Sequence, residues 1–158
     1  VNKVLLSKAP KLPLKAYDDL GTFKLYTLDL GVLRKLSELD ASILLLPTPA
    51  YTEYKGALAE NYILQSLTAQ FQMPFRYWTS GNKAEVDFLL QYINQIYPIE
   101  VKADQNIQGK SLIQYEKLFQ PACRIRYSML NLKQDGNLLN IPLFLADKTR
   151  ELLGVINV

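Results

Sequence analysis

"EVDFLLQYINQIYPIEVKA", residues 85 to 103, holds two apolar runs separated by the polar pair Asn94-Gln95. Runs of this length, rich in Val, Ile, Leu, Phe and Tyr and joined by a turn signal, predict two strands of a hairpin. Alternation along the first puts Val86, Phe88 and Leu90 on one face and Glu85, Asp87 and Leu89 on the other. Along the second, Tyr97, Ile99 and Val101 share one face, and Ile96, Pro98, Glu100 and Lys102 share the other. Two acids and a lysine thus interrupt what are otherwise core strands. A charge in such a place needs a partner or a ligand.

The flanking chain predicts the elements around this hairpin. Upstream, Lys55–Phe71 is a helix whose Ala57, Ile63, Leu64, Leu67 and Phe71 fall on one face at 100° per residue, with Leu58 and Tyr62 elsewhere. Glu60 stands in the middle of that apolar stripe, which amphipathic helices avoid. Residues 75–80 form a strand closed by a turn at Gly81-Asn82. Downstream come a helix over 109–120, a strand over 124–132, a turn at 134–137, and a last helix over 141–153 with Asn140 as its cap. From residue 55 the order is α-β-β-β-α-β, a mixed α/β arrangement with one crossover helix. The first twenty residues carry Pro10 and Pro13 and predict irregular chain with a short strand at Val4–Leu6; a strand at Phe23–Asp29 and a short helix at 30–39 follow. Pro47 and Pro49 are expected to stop regular structure, with a hinge at 46–52. The division expected is an N-terminal extension over 1–50 and a principal domain over 51–158.

Composition bounds the chemistry. Of 158 residues, 49% are hydrophobic and 21% charged, so a core can form. There is no histidine, which excludes His-ligated zinc sites, the Ser-His-Asp triad and a histidine base. Cys123 is the single cysteine, so no disulfide framework exists; a reducing, cytoplasmic setting and a small buried filler are expected. The net charge of +3 is too small to argue for nucleic acid alone. Lys3, Lys8, Lys11 and Lys15 form a basic run without an acid, a pattern usually met on solvated surface. No apolar stretch reaches membrane-spanning length. The chain begins at Val1 and its methionines are Met73 and Met129, as expected of a piece of a longer or processed protein.

Four charges then need one explanation: Glu60, Asp87, Glu100 and Lys102. If the hairpin strands pair, Asp87 and Glu100 come within neighbouring-strand distance, about 5 Å. Two carboxylates that close repel unless one is protonated or a cation lies between them. Magnesium or manganese suits carboxylate and carbonyl oxygens, so Asp87, Glu100 and the Val101 carbonyl are the expected ligands. Such an ion activates water without any histidine. Lys102 would hold a phosphate oxygen, and Glu60 would orient water or help hold a second ion. The competing explanation is plain: a Glu-x-Lys in a strand is usually a solvated face or a cross-strand ion pair, and Glu60 would then mark a misjudged helix face. Co-occurrence of all four, in this order on elements that pack together, favours a site.

This order, a helix with Glu60, then Asp87, then "IEVK" at 99–102, resembles the PD-(D/E)XK nuclease-like superfamily. More closely, "FKLYTLDLGVLRKL", "YKGALAENYILQSL", "YWTSGNKAEVDFLL", "YPIEVKA" and "IPLFLA" resemble an uncharacterised domain found C-terminal to AAA-type ATPase modules in bacteria and archaea. The resemblance implies a restriction-endonuclease-like core, a mixed central sheet flanked by helices. It implies metal-dependent phosphodiester hydrolysis, with DNA as the partner. It also implies an ATPase module preceding this chain, which itself has no Gly-rich phosphate loop. The alternative is a non-catalytic module that keeps the scaffold to bind nucleic acid or regulate the ATPase. One pattern departs: some such nucleases space a Gln and a Tyr along the next helix, whereas Gln114 and Tyr115 here are adjacent. Ser80, Lys83 and Glu85 could line the site, and Tyr77 and Trp78 could stack on bases, although each fits loop surface or core as well.

Overall fold

The computed structural model describes residues 1–38, 40, 48–81, 83–104 and 109–156. Alternating apolar positions and turn residues build eight strands into one mixed sheet among them. The strands are β1 (Asn2–Ser7), β2 (Asp18–Tyr26), β3 (Arg76–Thr79), β4 (Glu85–Tyr92), β5 (Gln95–Val101), β6 (Arg124–Ser128), β7 (Lys133–Asp135) and β8 (Leu138–Pro142). Their spatial order is β2-β1-β3-β4-β5-β6-β8-β7. The helices are α1 (Leu30–Leu36), α2 (Pro49–Phe71), α3 (Lys110–Phe119) and α4 (Thr149–Ile156). From α2 to β6 the order is α-β-β-β-α-β, as the sequence predicts. The crossover through α3 sets β6 parallel to β5.

The sheet has a core on each face. On one side Ile63, Leu64, Leu67 and Phe71 of α2 and Leu153 of α4 pack on Val4, Tyr77, Phe88, Leu90, Tyr97, Ile99, Ile125 and Tyr127. On the other, Leu112 and Tyr115 of α3 meet Trp78, Val86, Leu89 and Leu14. Tyr77 and Trp78 are therefore core residues, Trp78 standing edge-on to Tyr115 at 5.3 Å, and neither presents a face for stacking.

Several local expectations are corrected. Helix α2 starts six residues before Lys55, because Thr48 caps it by accepting the Tyr51 amide at 3.1 Å, and Pro49 fills the first turn, where its missing N–H is not needed. Positions 48–52 of the expected hinge are thus the start of a helix; 46 and 47 lie outside the described residues, as does Asn82 of the expected Gly81-Asn82 turn. Ile63, Leu64, Leu67 and Phe71 of α2 are buried as expected, but Ala57 is exposed, and Ala59 and Tyr62 pack against the core as well. The hairpin turn is Ile93-Asn94, with φ of 44° and 56°, and Tyr92 pairs with Gln95. The strand expected at Phe23–Asp29 ends at Tyr26, and Asp29 instead caps α1 through the Val32 amide at 2.9 Å. Leu138–Pro142 is a strand rather than the lead into a helix. The reason is tertiary: the buried Asn140 accepts from Arg126 Nε at 2.9 Å and Ser128 Oγ at 2.7 Å, locking β8 beside β6. A 3-10 turn over Leu143–Lys148 then leads into α4. The residues before 50 give the sheet two more strands, since β1 pairs with β2 on one side and runs parallel to β3 on the other.

Candidate functional site

A bulge decides where Asp87 points. Trp78 pairs with Val86 and Arg76 with Leu89, so one residue of β3, Tyr77, opposes two of β4, Asp87 and Phe88. The extra residue breaks the alternation that simple periodicity predicts: Val86 and Leu89 join the α3-side core, while Phe88 and Leu90 join the α2-side core. Asp87, next to Phe88, is left at the point of irregularity. The paired register of β4 and β5 ends there as well, with Phe88 opposite Ile99. Past that pair the Asp87 side chain takes the role of a backbone carbonyl, its Oδ2 accepting the Val101 amide at 2.7 Å. A strand amide points along the plane of the sheet, so the carboxylate is held between the two strands, within reach of groups on both faces.

Glu60 comes from the α2 side and accepts the Tyr26 hydroxyl at 2.9 Å. Glu100 sits between Ile99 and Val101, both in the α2-side core, so it leaves β5 toward the other face. Continued by one position, the register of Phe88 with Ile99 sets Asp87 across from Glu100, whose charge reaches the Asp87 carboxyl where the ladder has stopped. Glu100 is 2% exposed, and its Oε1 pairs with Lys102 Nζ at 3.0 Å. Its Oε2 is buried without a hydrogen-bond partner. Burying a carboxylate oxygen in that state is costly and marks a place where a cation or donor fits.

Electrostatics tie these groups together. Burial and then the charge of Glu60 push the Asp87 carboxyl up to about 7, and Glu100 adds to the rise; the Val101 hydrogen bond and Lys24 pull the other way. Lys24, on β2, is ion-paired with Glu85 and lies over the Tyr77 ring, 4.9 Å from its centroid. Burial depresses its ammonium, but the Glu85 hydrogen bond and the charges of Glu85, Asp87 and Glu60 outweigh that and raise it. Burial, with Glu60 beside it, holds the Tyr26 hydroxyl protonated well above the usual tyrosine range. Four carboxylates (Glu60, Asp87, Glu85 and Glu100) thus face two lysines, Lys24 and Lys102, leaving a net negative centre. Among the described residues, no three acidic or thiol side chains are already drawn together as a metal-ligand group.

Nothing in the local sequence pattern marks Tyr26 and Lys24 as site residues. In "FKLYTLD" a lysine and a tyrosine two apart share one face of an edge strand, but nothing local says which helix that face meets. Of the other candidates, Ser80 and Lys83 are exposed, and Tyr115 is buried against Trp78.

Residues 55–144 match the model of a family described as a domain of unknown function, DUF4143. The chain belongs to the DUF4143 family. No curated protein and no solved structure matches it. The DUF4143 match contains Glu60, Asp87, Glu100 and Lys102, but Lys24 and Tyr26 lie before it. Among the described residues, no helix of this DUF4143 protein is long and apolar enough to cross a membrane.

Proposed function

We propose that this DUF4143 domain has a PD-(D/E)XK-type, restriction-endonuclease-like core and is a metal-dependent nuclease acting on DNA in the cytoplasm, as the C-terminal part of an AAA-type ATPase. The observation that carries the site is the Asp87 carboxylate held between two strands, under the charges of Glu60 and Glu100, beside an unpartnered buried Glu100 oxygen. A divalent magnesium or manganese ion fits this donor set. Asp87, Glu100 and the Val101 carbonyl would hold it, all hard oxygen donors, and the net negative charge of the cluster matches a doubly charged ion. When bound, such an ion supplies Lewis acidity to a phosphodiester and its attacking water. Lys102, now tied to Glu100, would meet charge that builds on the phosphate. Glu60 would orient the water from the α2 side. Cleavage of a plasmid or oligonucleotide with magnesium or manganese tests this in wild type, Asp87→Ala and Lys102→Ala. Each substitution is expected to reduce the rate at least about a hundredfold. Equal activity in all three preparations would trace the cleavage to a contaminant and end the proposal.

A second reading has its own support: Lys102 is paired with Glu100, Lys24 with Glu85, and Tyr26 holds Glu60. These contacts allow the cluster to persist as a structural polar network in a non-catalytic module that binds nucleic acid or regulates the ATPase. Calorimetric titration with manganese separates the two, because a purely structural network takes up no ion near neutral pH.

A further inference from the structure

The DUF4143 match begins at Lys55, yet the acid nearest to Asp87 in electrostatic influence, Glu60, is held by a residue from outside it. At the end of β2 two consecutive residues grip two consecutive residues of α2. Tyr26 donates its hydroxyl to Glu60 Oε2 at 2.9 Å, and Thr27 donates its backbone amide to Asn61 Oδ1 at 2.9 Å, its hydroxyl being shared between that oxygen at 3.0 Å and the Asp29 carbonyl at 2.8 Å. The tyrosine ring is itself fixed. It is 9% exposed and packs on Phe88, the neighbour of Asp87, with ring centroids 5.4 Å apart. One side chain therefore touches the residue beside Asp87 and the carboxylate of Glu60 at once. A flexible glutamate half-buried on a helix has several rotamers, and a hydrogen bond from a fixed phenol selects one of them.

We propose that Tyr26 is a positioning residue of the candidate metal site, acting through Glu60, and that the functional unit therefore includes β2 as well as the DUF4143 stretch. This rests on the metal-dependent reading above. Tyr26 touches neither ion nor substrate in this scheme; it sets the direction in which Glu60 faces Asp87. Groups that orient a metal site from behind typically change ion affinity about tenfold or more when removed.

The experiment is manganese titration calorimetry on the whole chain, alongside thermal unfolding, for wild type, Tyr26→Phe, Glu60→Gln, the double variant and Thr27→Ala. Tyr26→Phe keeps the ring and removes one hydroxyl. It and Glu60→Gln are each expected to weaken manganese binding about tenfold, and the double variant to bind no more weakly than Glu60→Gln alone. Thr27→Ala loosens the adjacent grip and is expected to lower thermal stability while leaving manganese affinity unchanged. Unchanged affinity in Tyr26→Phe overturns the proposal. So do additive losses in the double variant, which would mean that Tyr26 acts by another route, and a loss in Thr27→Ala equal to that in Tyr26→Phe, which would make the grip merely structural. Absence of manganese uptake by wild type is a different failure: it removes the metal-dependent reading and this inference with it.

Discussion

Asp87 is the residue on which the site turns, and its protonation should be visible in stability. In the folded chain its carboxyl titrates at about 7, against 3.8 as the ordinary value. Between those values the native chain keeps a proton that the unfolded chain has released. Unfolding then releases a proton, so stability falls as pH rises through that window. Asp87→Asn keeps an oxygen for the Val101 amide and carries no charge at any pH. In the presence of a chelator it is expected to match wild type near pH 4 and to exceed it by ~4 kcal/mol at pH 8, read from urea unfolding at a series of pH values. A difference that stays constant across that range would show that Asp87 is not held protonated. The presence of Asp87 in an apolar run was legible in the sequence. Its aim was not, because the bulge opposite Tyr77 depends on how β3 lies against β4, and period-2 counting assumes no such interruption.

At the scale of elements, the hairpin that joins the two strands carries a local conflict. Ile93 and Asn94 both have positive φ, the geometry of the two-residue turn that suits strand twist. Asn accepts that conformation readily, whereas a β-branched residue does not. Ile93 is 66% exposed, so little burial compensates. Ile93→Asn is expected to stabilise the chain by ~1 kcal/mol, measured by chemical denaturation, and a loss of stability would mean that the side chain makes contacts worth more than the backbone strain. Residue preference sets the turn one residue late, because Asn94-Gln95 looks more like a turn than Ile93-Asn94; the register of Tyr92 with Gln95 overrides it. Helix α2 shows the converse. Pro49 reads locally as a stop, and only the Thr48 cap makes it a start. For β8, buried hydrogen bonds to Asn140 outweighed a pattern that resembled a helix beginning.

Across the whole molecule, one sheet joins strands from both sides of position 50. Val4 and Tyr26 lie in the α2-side core and Leu14 in the α3-side core, while Asp18 makes a two-pronged ion pair with the buried Arg76 at 2.8 and 2.9 Å. A chain reduced to residues 55–158 keeps the hairpin, the crossover and α2 without its first six residues and its Thr48 cap. It also strips β3 of its β1 neighbour, removes Val4, Tyr26 and Leu14 from the two cores and takes away the Asp18 partner of Arg76. That shortened chain is expected to lack a cooperative thermal transition by circular dichroism. A sharp transition near that of the whole chain would show that β1 and β2 are dispensable for folding.

The sequence alone determined the order of helices and strands from α2 to β6, the hairpin, the burial of Cys123 and the four charged residues that stand out against their surroundings, because these are local facts of periodicity and composition. Tertiary structure alone decided that Asp87 slips between two strands, that Glu60 and Glu100 approach it from opposite faces, and that Tyr26 and Lys24 reach the same centre from an edge strand. The reason is geometric. Periodicity fixes the direction of a side chain relative to its own backbone, whereas meeting a residue 27 or 34 positions away depends on bulges, register and sheet order, which no single segment encodes.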